Sequence, residues 1–395
     1  MPDFDDQLES LVGDAARTLR GAARAVKSAF EDDPFEIVSY PGYGDGRQAH
    51  VYGRVAEKRT AGVSTDADSI LRNLLNTYRR ADSDPLPFAE VSVKWGGRKT
   101  DLTGDDEGFF SGSVEAGMSA GESGEWLEYD VELTSPVTRE TDTIKGVGET
   151  LVPAATARFG VISDIDDTVI QSRVSNFLLA ARSVILGNAR TRLPFPGVAA
   201  FYEALRNGSN GKEKNPIFYV SSSPWNIHDV ISEFMDLQKV PRGPLILRDW
   251  DIRLGALAST RHFEHKGVAI RNIMNCYPAT PFILIGDTSQ HDPEIYRQIV
   301  EDFPNRVLAI YIRDVVRSAE RSASVKRLAD EVLAAGSALV VSEDTLGAAT
   351  HAASQGWIDA EALPAVREEK KADEGIGDAK VSAPGVKLED ETGSE

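Results

Sequence analysis

The sequence predicts a multidomain α/β chain: an N-terminal helix, a β-rich sandwich- or barrel-like unit, and a parallel sheet with flanking helices. Apolar residues before residue 31 recur at three-to-four spacing. Between about residues 33 and 155 short alternating segments are broken by glycine and proline. From Ala157 the pattern becomes strand–helix–strand. At 395 residues the chain has room for two domains plus tails. The expected division is a helix over 1–32, the β-rich unit over 33–155, the α/β unit over 156–345 and a tail over 366–395.

The first element spans about Gln7 to Phe30, with Leu8, Leu11, Val12, Leu19, Val26 and Phe30 on one face and Arg17, Arg20, Arg24 and Lys27 on much of the rest. A basic amphipathic helix can lie on an anionic membrane. The largely alanine apolar face favours the other reading, a helix packed on its own protein. In the β-rich unit the expected strands are 35–40, 49–55, 89–95, 108–114, 126–133 and 144–151. An inserted helix is expected over Ser69–Arg80. Asp105, Asp106 and Glu107 form an acidic turn, read as a solvated loop in preference to a calcium site, and the unit is assigned no chemistry. The α/β unit offers strands at 158–163, 217–221, 244–247, 282–285 and 306–312. Helices are expected at 177–186, 198–206, 226–237 and 265–276, another near Pro293, one over 324–335, and a last short strand at 339–341. After Val366 charges dominate and aromatics vanish, which predicts disorder.

Composition narrows the function classes. Hydrophobic residues make up 41% and charged residues 27%, the balance of a globular chain. No run of eighteen apolar residues is present, so no transmembrane segment is expected. The opening MPDFDDQLES has acids where a secretory signal needs bases. With one cysteine, Cys276, no intramolecular disulfide can form, which suits a cytoplasmic protein. A net charge of −19 argues against nucleic-acid binding. It also requires local cations or a metal to draw in any anionic substrate.

Four motifs carry the chemistry. In FGVISDIDDTVI an apolar strand ends in Asp164, Asp166 and Asp167, followed by Thr168. Ligands of open parallel sheets bind outside the carboxyl ends of strands, and crowded acids resist ionising together unless a cation neutralises them. Oxygen-only donors suit magnesium. A carboxylate can attack phosphorus covalently while a neighbour protonates the leaving oxygen. In YVSSSPWN, Ser221 stands where a strand ends and is a candidate phosphate ligand, whereas Ser223 before Pro224 reads as a helix cap. Lys266 falls at the start of an expected helix, where the helix dipole disfavours a base; a lysine that neutralises a phosphate and the nucleophile explains it better. In FILIGDTSQHDPEIY, Gly286 permits a turn, Asp287 is placed as a metal ligand, and Asp292 is either a metal partner or the cap before Pro293.

DIDDT, Ser221, Lys266 and GDTSQHD resemble, in order and texture, the four motifs of the haloacid dehalogenase superfamily. The resemblance covers roughly 158–315 and implies a Rossmann-like sheet. It implies Asp164 as nucleophile, Asp166 as general acid/base, and magnesium held by the Asp164 carboxylate, the Asp166 carbonyl and Asp287. An acid at position 166 favours the phosphatase branch. The fuller strings SDIDDTVIQS, FPGV, YVSSSPWN, LRDW with IRLG, HK and LIGDTSQHDPEIY are similar to the catalytic domain of actin-patch-protein type phosphatidate phosphatases. That family implies hydrolysis of phosphatidate to diacylglycerol and phosphate by a phosphoric monoester hydrolase in peripheral contact with a membrane. A soluble phosphomonoester substrate, or an inactive scaffold, remains the alternative. Residues 176–198 mix apolar side chains with Arg182, Arg190 and Arg192, and read either as a small cap helix or core helix, or as a lipid-facing segment. Trp225 and Trp250 are candidates for the mouth of the site.

Overall fold

The computed structural model describes residues 35–58, 84–116, 125–136, 143–169, 195–248, 258–316 and 318–381. The helices expected over 7–30, 69–80 and 177–186, together with Trp250, lie outside the described residues.

Seven strands build the first unit: β1 (Phe35–Gly44), β2 (Gln48–Glu57), β3 (Glu90–Trp95), β4 (Arg98–Thr103), β5 (Phe109–Glu115), β6 (Glu125–Ser135) and β7 (Lys145–Val152). They form one sheet in the order β4-β3-β6-β7-β1-β2-β5, antiparallel except where β1 meets β7. Successive strand side chains point to opposite faces. Val51 and Val55, Val91 and Val93, and Val131 and Leu133 therefore converge on one core with Phe110 and Leu86. The edge strands β4 and β5 meet where Leu102 lies over Gly112, so the sheet curls towards closure. β4 is absent from the sequence expectation because RKTDLT is polar and largely exposed. Its signal was Gly96–Gly97: both have positive φ (54° and 87°), the two-residue hairpin that sets Trp95 opposite Arg98.

The second unit contains β8 (Gly160–Ser163), α1 (Val198–Asn207), β9 (Ile217–Pro224), α2 (His228–Leu237), β10 (Leu245–Arg248), α3 (Ala258–Cys276) and β11 (Phe282–Asp287). It continues through α4 (Asp292–Asp302), β12 (Val307–Arg313), α5 (Ala319–Ala334), β13 (Ala338–Ser342), α6 (Thr345–Ser354) and α7 (Leu363–Val381). The six strands are all parallel, in the order β10-β9-β8-β11-β12-β13. Helices cover both faces. Val161 of β8 belongs to a core shared with Phe201 of α1 and Ile231 of α2. The next residue, Ile162, points the other way, to Ile270 of α3 and Ile299 of α4. From β8 the chain builds outwards through β9 and β10, then returns to the other side of β8 for β11. That reversal opens a crevice at the carboxyl ends of β8 and β11, where α/β sheets bind ligands.

The tail expectation is corrected from its first residues. α7 runs to Val381, past the boundary at Val366. Val366 is fully buried, the Glu369 carboxylate accepts from the Ala200 amide at 2.7 Å, and Lys370 donates to Asp344 at 2.6 Å. Its Ala, Glu, Lys and Arg residues are good helix formers, and docking on α1 and the Asp344 loop fixes the turns in place.

The two units pack through aromatic residues. Tyr43 meets Phe218 edge-on at 5.9 Å, Tyr277 donates its hydroxyl to the Gly44 carbonyl at 3.2 Å, and the Arg242 guanidinium lies 4.1 Å over the Trp126 ring.

Candidate active site

β8 is buried along its whole length, and it delivers Asp164 to the crevice with no solvent exposure. The Asp164 amide donates to the Ile285 carbonyl at 2.9 Å, extending the ladder with β11 by one residue. The chain then turns sharply, with the Thr168 and Val169 amides donating back to the Ile165 carbonyl and Asp167 at φ 57°. Aspartate tolerates that left-handed conformation better than most residues. The turn brings the Thr168 hydroxyl to 3.4 Å from both Asp164 Oδ2 and Asp287 Oδ2.

Lys266 is 2% exposed, and its ammonium donates to Asp164 Oδ1 at 2.9 Å, Asp292 Oδ1 at 2.5 Å and Gln290 Oε1 at 3.3 Å. A buried ammonium has three protons to place, and all three find acceptors. Burial alone would depress its pKa; Asp164 and Asp292 outweigh that and hold it above the usual lysine range. The helix-start argument for Lys266 fails, because α3 begins at Ala258 and places the lysine in mid-helix.

Asp287 ends β11, and its Oδ1 accepts from the Ser289 and Gln290 amides. Asp292 is the first residue of α4, whose cap position is His291. Its carboxylate does no capping: Oδ1 faces Lys266 and Oδ2 accepts from the Asp287 amide at 3.2 Å. The reading of Gly286 as a turn residue is likewise corrected. Gly286 lies within β11, and an added Cβ would sit 2.5 Å from Asp292 Oδ2. Glycine is needed there so that the carboxylate can lie directly on the strand.

One oxygen from each of Asp164, Asp287 and Asp292 falls within 4.8 Å of the others, and all three residues are buried. Burial pushes the Asp164 pKa well above the ordinary value; Lys266 opposes this, while Asp292, Asp287 and Asp166 add to it. Asp287 is pushed up to about 6 by burial, with Asp292 adding to it. A single lysine leaves this group of acids under-neutralised. Its donor set, carboxylate oxygens only, fits a hard divalent cation such as magnesium.

Asp166 faces elsewhere. Its Oδ2 accepts from the Ser221 hydroxyl at 2.8 Å and lies 3.4 Å from the Ser223 hydroxyl, so its carboxylate is outside the three-acid group. Burial raises its pKa against the pull of these hydroxyls and Lys266. The expectation that Ser223 caps a helix is corrected: Pro224 holds that position, and Ser223 gives its amide to Ser221 Oγ at 3.0 Å. Thus Asp164, Asp166, Ser221, Lys266, Asp287 and Asp292 gather at one crevice. Two participants escaped the sequence reading. Thr168 was visible beside the acids, but its bridge to Asp287 depends on the β8–β11 pairing. Gln290 had no signal beyond its place in the GDTSQHD string.

Fold and site together define an α/β chain with a lysine-bridged acidic cluster at the switch point of a parallel sheet. Residues 159–314 match the family model described as the catalytic domain of phosphatidate phosphatase APP1. The resemblance read from the motifs is borne out over that segment. The chain is 29% identical over 187 residues to phosphatidate phosphatase APP1 of Saccharomyces cerevisiae, covering 47% of this chain and 30% of the yeast protein. It is also 29% identical over 161 residues to an uncharacterized protein of Schizosaccharomyces pombe, covering 40% of this chain and 25% of that one. The chain therefore spans less than a third of the length of these curated relatives. Among solved structures, a D319A mutant of the PilB minor pilin from Streptococcus sanguinis overlaps 95% of this chain and 100% of its own at 10% identity, with a TM-score of 0.25. That likeness is too slight to bear on the fold.

Proposed function

We propose that this chain is a magnesium-dependent phosphohydrolase with a haloacid-dehalogenase-like catalytic unit, which removes the phosphate of phosphatidate or a related lipid phosphate. The observation that carries the reading is the buried Asp164, bonded to Lys266 and a few ångströms from Asp287 and Asp292, within a segment matching the APP1 catalytic domain. Asp164, Asp287 and Asp292, with the Asp166 carbonyl, would hold magnesium, which supplies positive charge against the phosphoryl oxygens. Asp164 attacks phosphorus, forming an aspartyl-phosphate and releasing diacylglycerol. Asp166, whose pKa burial raises, donates a proton to the leaving alkoxide and then takes one from the water that hydrolyses the intermediate. Lys266 holds Asp164 in place and balances negative charge; Ser221 orients Asp166 and offers its hydroxyl to a phosphoryl oxygen. Peripheral contact with a lipid surface is part of the proposal. Among the described residues no helix is long and apolar enough to cross a membrane.

The test is phosphate release from phosphatidate in detergent micelles, with magnesium and with excess chelator, beside a soluble phosphomonoester. Chelator-sensitive release that prefers the lipid is expected. Release from the soluble ester alone would discard the lipid and keep the chemistry, and no release from either would overturn the reading.

A further inference from the structure

A cavity of about 650 Å³ lies between the β unit and the α/β unit. Its volume is that of a small-molecule pocket, roughly 300–1,000 Å³. The β unit contributes Tyr40, Tyr43, Tyr52, Phe109 and Phe110. Across from them stand Trp225, Ile246 and Leu247 at the carboxyl side of β9 and β10, and Val268 and Ala269 of α3. The wall is organised: Trp225 stacks on Tyr40 at 5.3 Å and on Tyr52 at 5.1 Å. Among the described lining residues none is lysine or arginine. The single acid, Asp105, turns its Oδ1 onto the amides of Glu107 and Phe109. No lysine or arginine charge therefore faces a phosphate there, whereas the aromatic side chains offer a hydrocarbon chain a surface to cover.

The cavity is continuous in sequence with the catalytic groups. His265 on its wall precedes Lys266, and Trp225 follows Ser221 and Ser223. Val268, two residues beyond the catalytic lysine, is 51% exposed although the rest of that stretch of α3 is mostly buried. An exposed valine on the wall of an aromatic cavity leaves apolar surface in water that a chain would cover. We infer that this cavity receives the acyl part of the lipid phosphate whose phosphate stands on Asp164, so that the β unit forms half of the substrate site. The inference rests on the proposed lipid phosphatase reading and adds a role for the β unit to it. Serine, histidine and asparagine side chains at Ser111, Ser113, His50 and Asn272 line the same cavity and suit the ester and glycerol oxygens.

Two variants narrow the cavity from opposite walls at exposed positions: Val268→Phe on α3 and Ser111→Phe on β5. Each is assayed for kcat/KM on long-chain and on short-chain phosphatidate. The ratio between the two substrates is the readout, because it cancels general damage to the fold. A brominated diacylglycerol provides a second readout through quenching of tryptophan fluorescence, for which Trp225 is the nearby reporter. Both variants are expected to lower the long-to-short ratio by about tenfold, the loss of roughly two buried methylenes, and to weaken the quenching seen with the unmodified chain. An unchanged ratio and unchanged quenching in both variants would overturn the inference, as would equal losses on the two substrates in both. If the unmodified chain hydrolyses neither lipid, the catalytic reading fails, and quenching alone then decides whether the cavity binds acyl chains.

Discussion

The two edges of the parallel sheet bury charge in opposite ways. At the amino edge Glu213 is 1% exposed, yet its carboxylate accepts from Arg158 at 3.0 Å, the Ser209 amide at 3.1 Å, the Ser209 hydroxyl at 2.9 Å and Asn215 at 2.9 Å. Burial raises its pKa, but these bonds outweigh that and leave it below the ordinary value. At the carboxyl edge Asp164, Asp287 and Asp292 share one lysine, and Asp164 and Asp287 lie above the ordinary value. A satisfied buried charge serves the fold. Carboxylates held together without enough cations lower stability, and such groups concentrate where chemistry is done.

Substitutions should separate the two edges, and the largest effect is expected at Asp164. Asp164→Asn should lower kcat by at least about 10³-fold, since it removes the proposed nucleophile, while the thermal midpoint holds or rises because a buried charge is relieved. Phosphate release and thermal unfolding on the same preparation would show it, and near-normal turnover would erase the contrast. Gly286→Ala comes next. The added methyl must displace the Asp292 carboxylate, and a shift of about 1 Å in a catalytic constellation can cost on the order of 10²-fold in rate. Steady-state kinetics at saturating magnesium, with far-ultraviolet circular dichroism as a fold control, would test it. Glu213→Gln should reverse the pattern: stability falls by about 1–3 kcal/mol as buried donors lose acceptors, and kcat stays put. Urea unfolding with a parallel kinetic assay measures both.

The smallest expected effect is a pair of opposed pH dependences. Glu213 has a depressed pKa in the fold, so its stabilising contribution is present above the ordinary glutamate value of 4.5 and is lost as pH falls through the depressed value. Asp287 is raised from 3.8 to about 6, so the metal-free fold binds the extra proton and stability falls as pH climbs through that interval. Thermal midpoints in chelator should show Asp287→Asn flattening the loss on the alkaline side and Glu213→Gln flattening the loss on the acid side. Magnesium should remove only the former. Identical profiles for both variants would mean that the two edges do not differ as described.

Much of the candidate site was legible in the chain because catalytic groups sit at strand ends, and a strand end is a local event. Apolar runs stopping at Asp164, Ser221 and Asp287 mark the carboxyl edge without any knowledge of the strand order. The misread residues are those whose role depends on a neighbour distant in sequence or on exact helix limits. Ser223 looked like a cap because Pro224 follows it, but Asp166, 57 residues away, is within its reach. α6 escaped notice because its alanine-rich sequence has little amphipathic contrast, its buried face being Ala348, Ala349 and Ala352.

The sequence by itself determined the periodicities, the contrast between a β-rich segment and an α/β segment, and the identity of the acids and the lysine, all consequences of spacing within single elements. Only the tertiary structure decided that Lys266 bridges Asp164 and Asp292, that Gly286 is a contact and not a turn, and that aromatic residues of the β unit face α3 across a cavity. Those facts depend on strand order and on how the units dock. Both are set by burying surfaces that lie far apart along the chain, where local spacing carries no information.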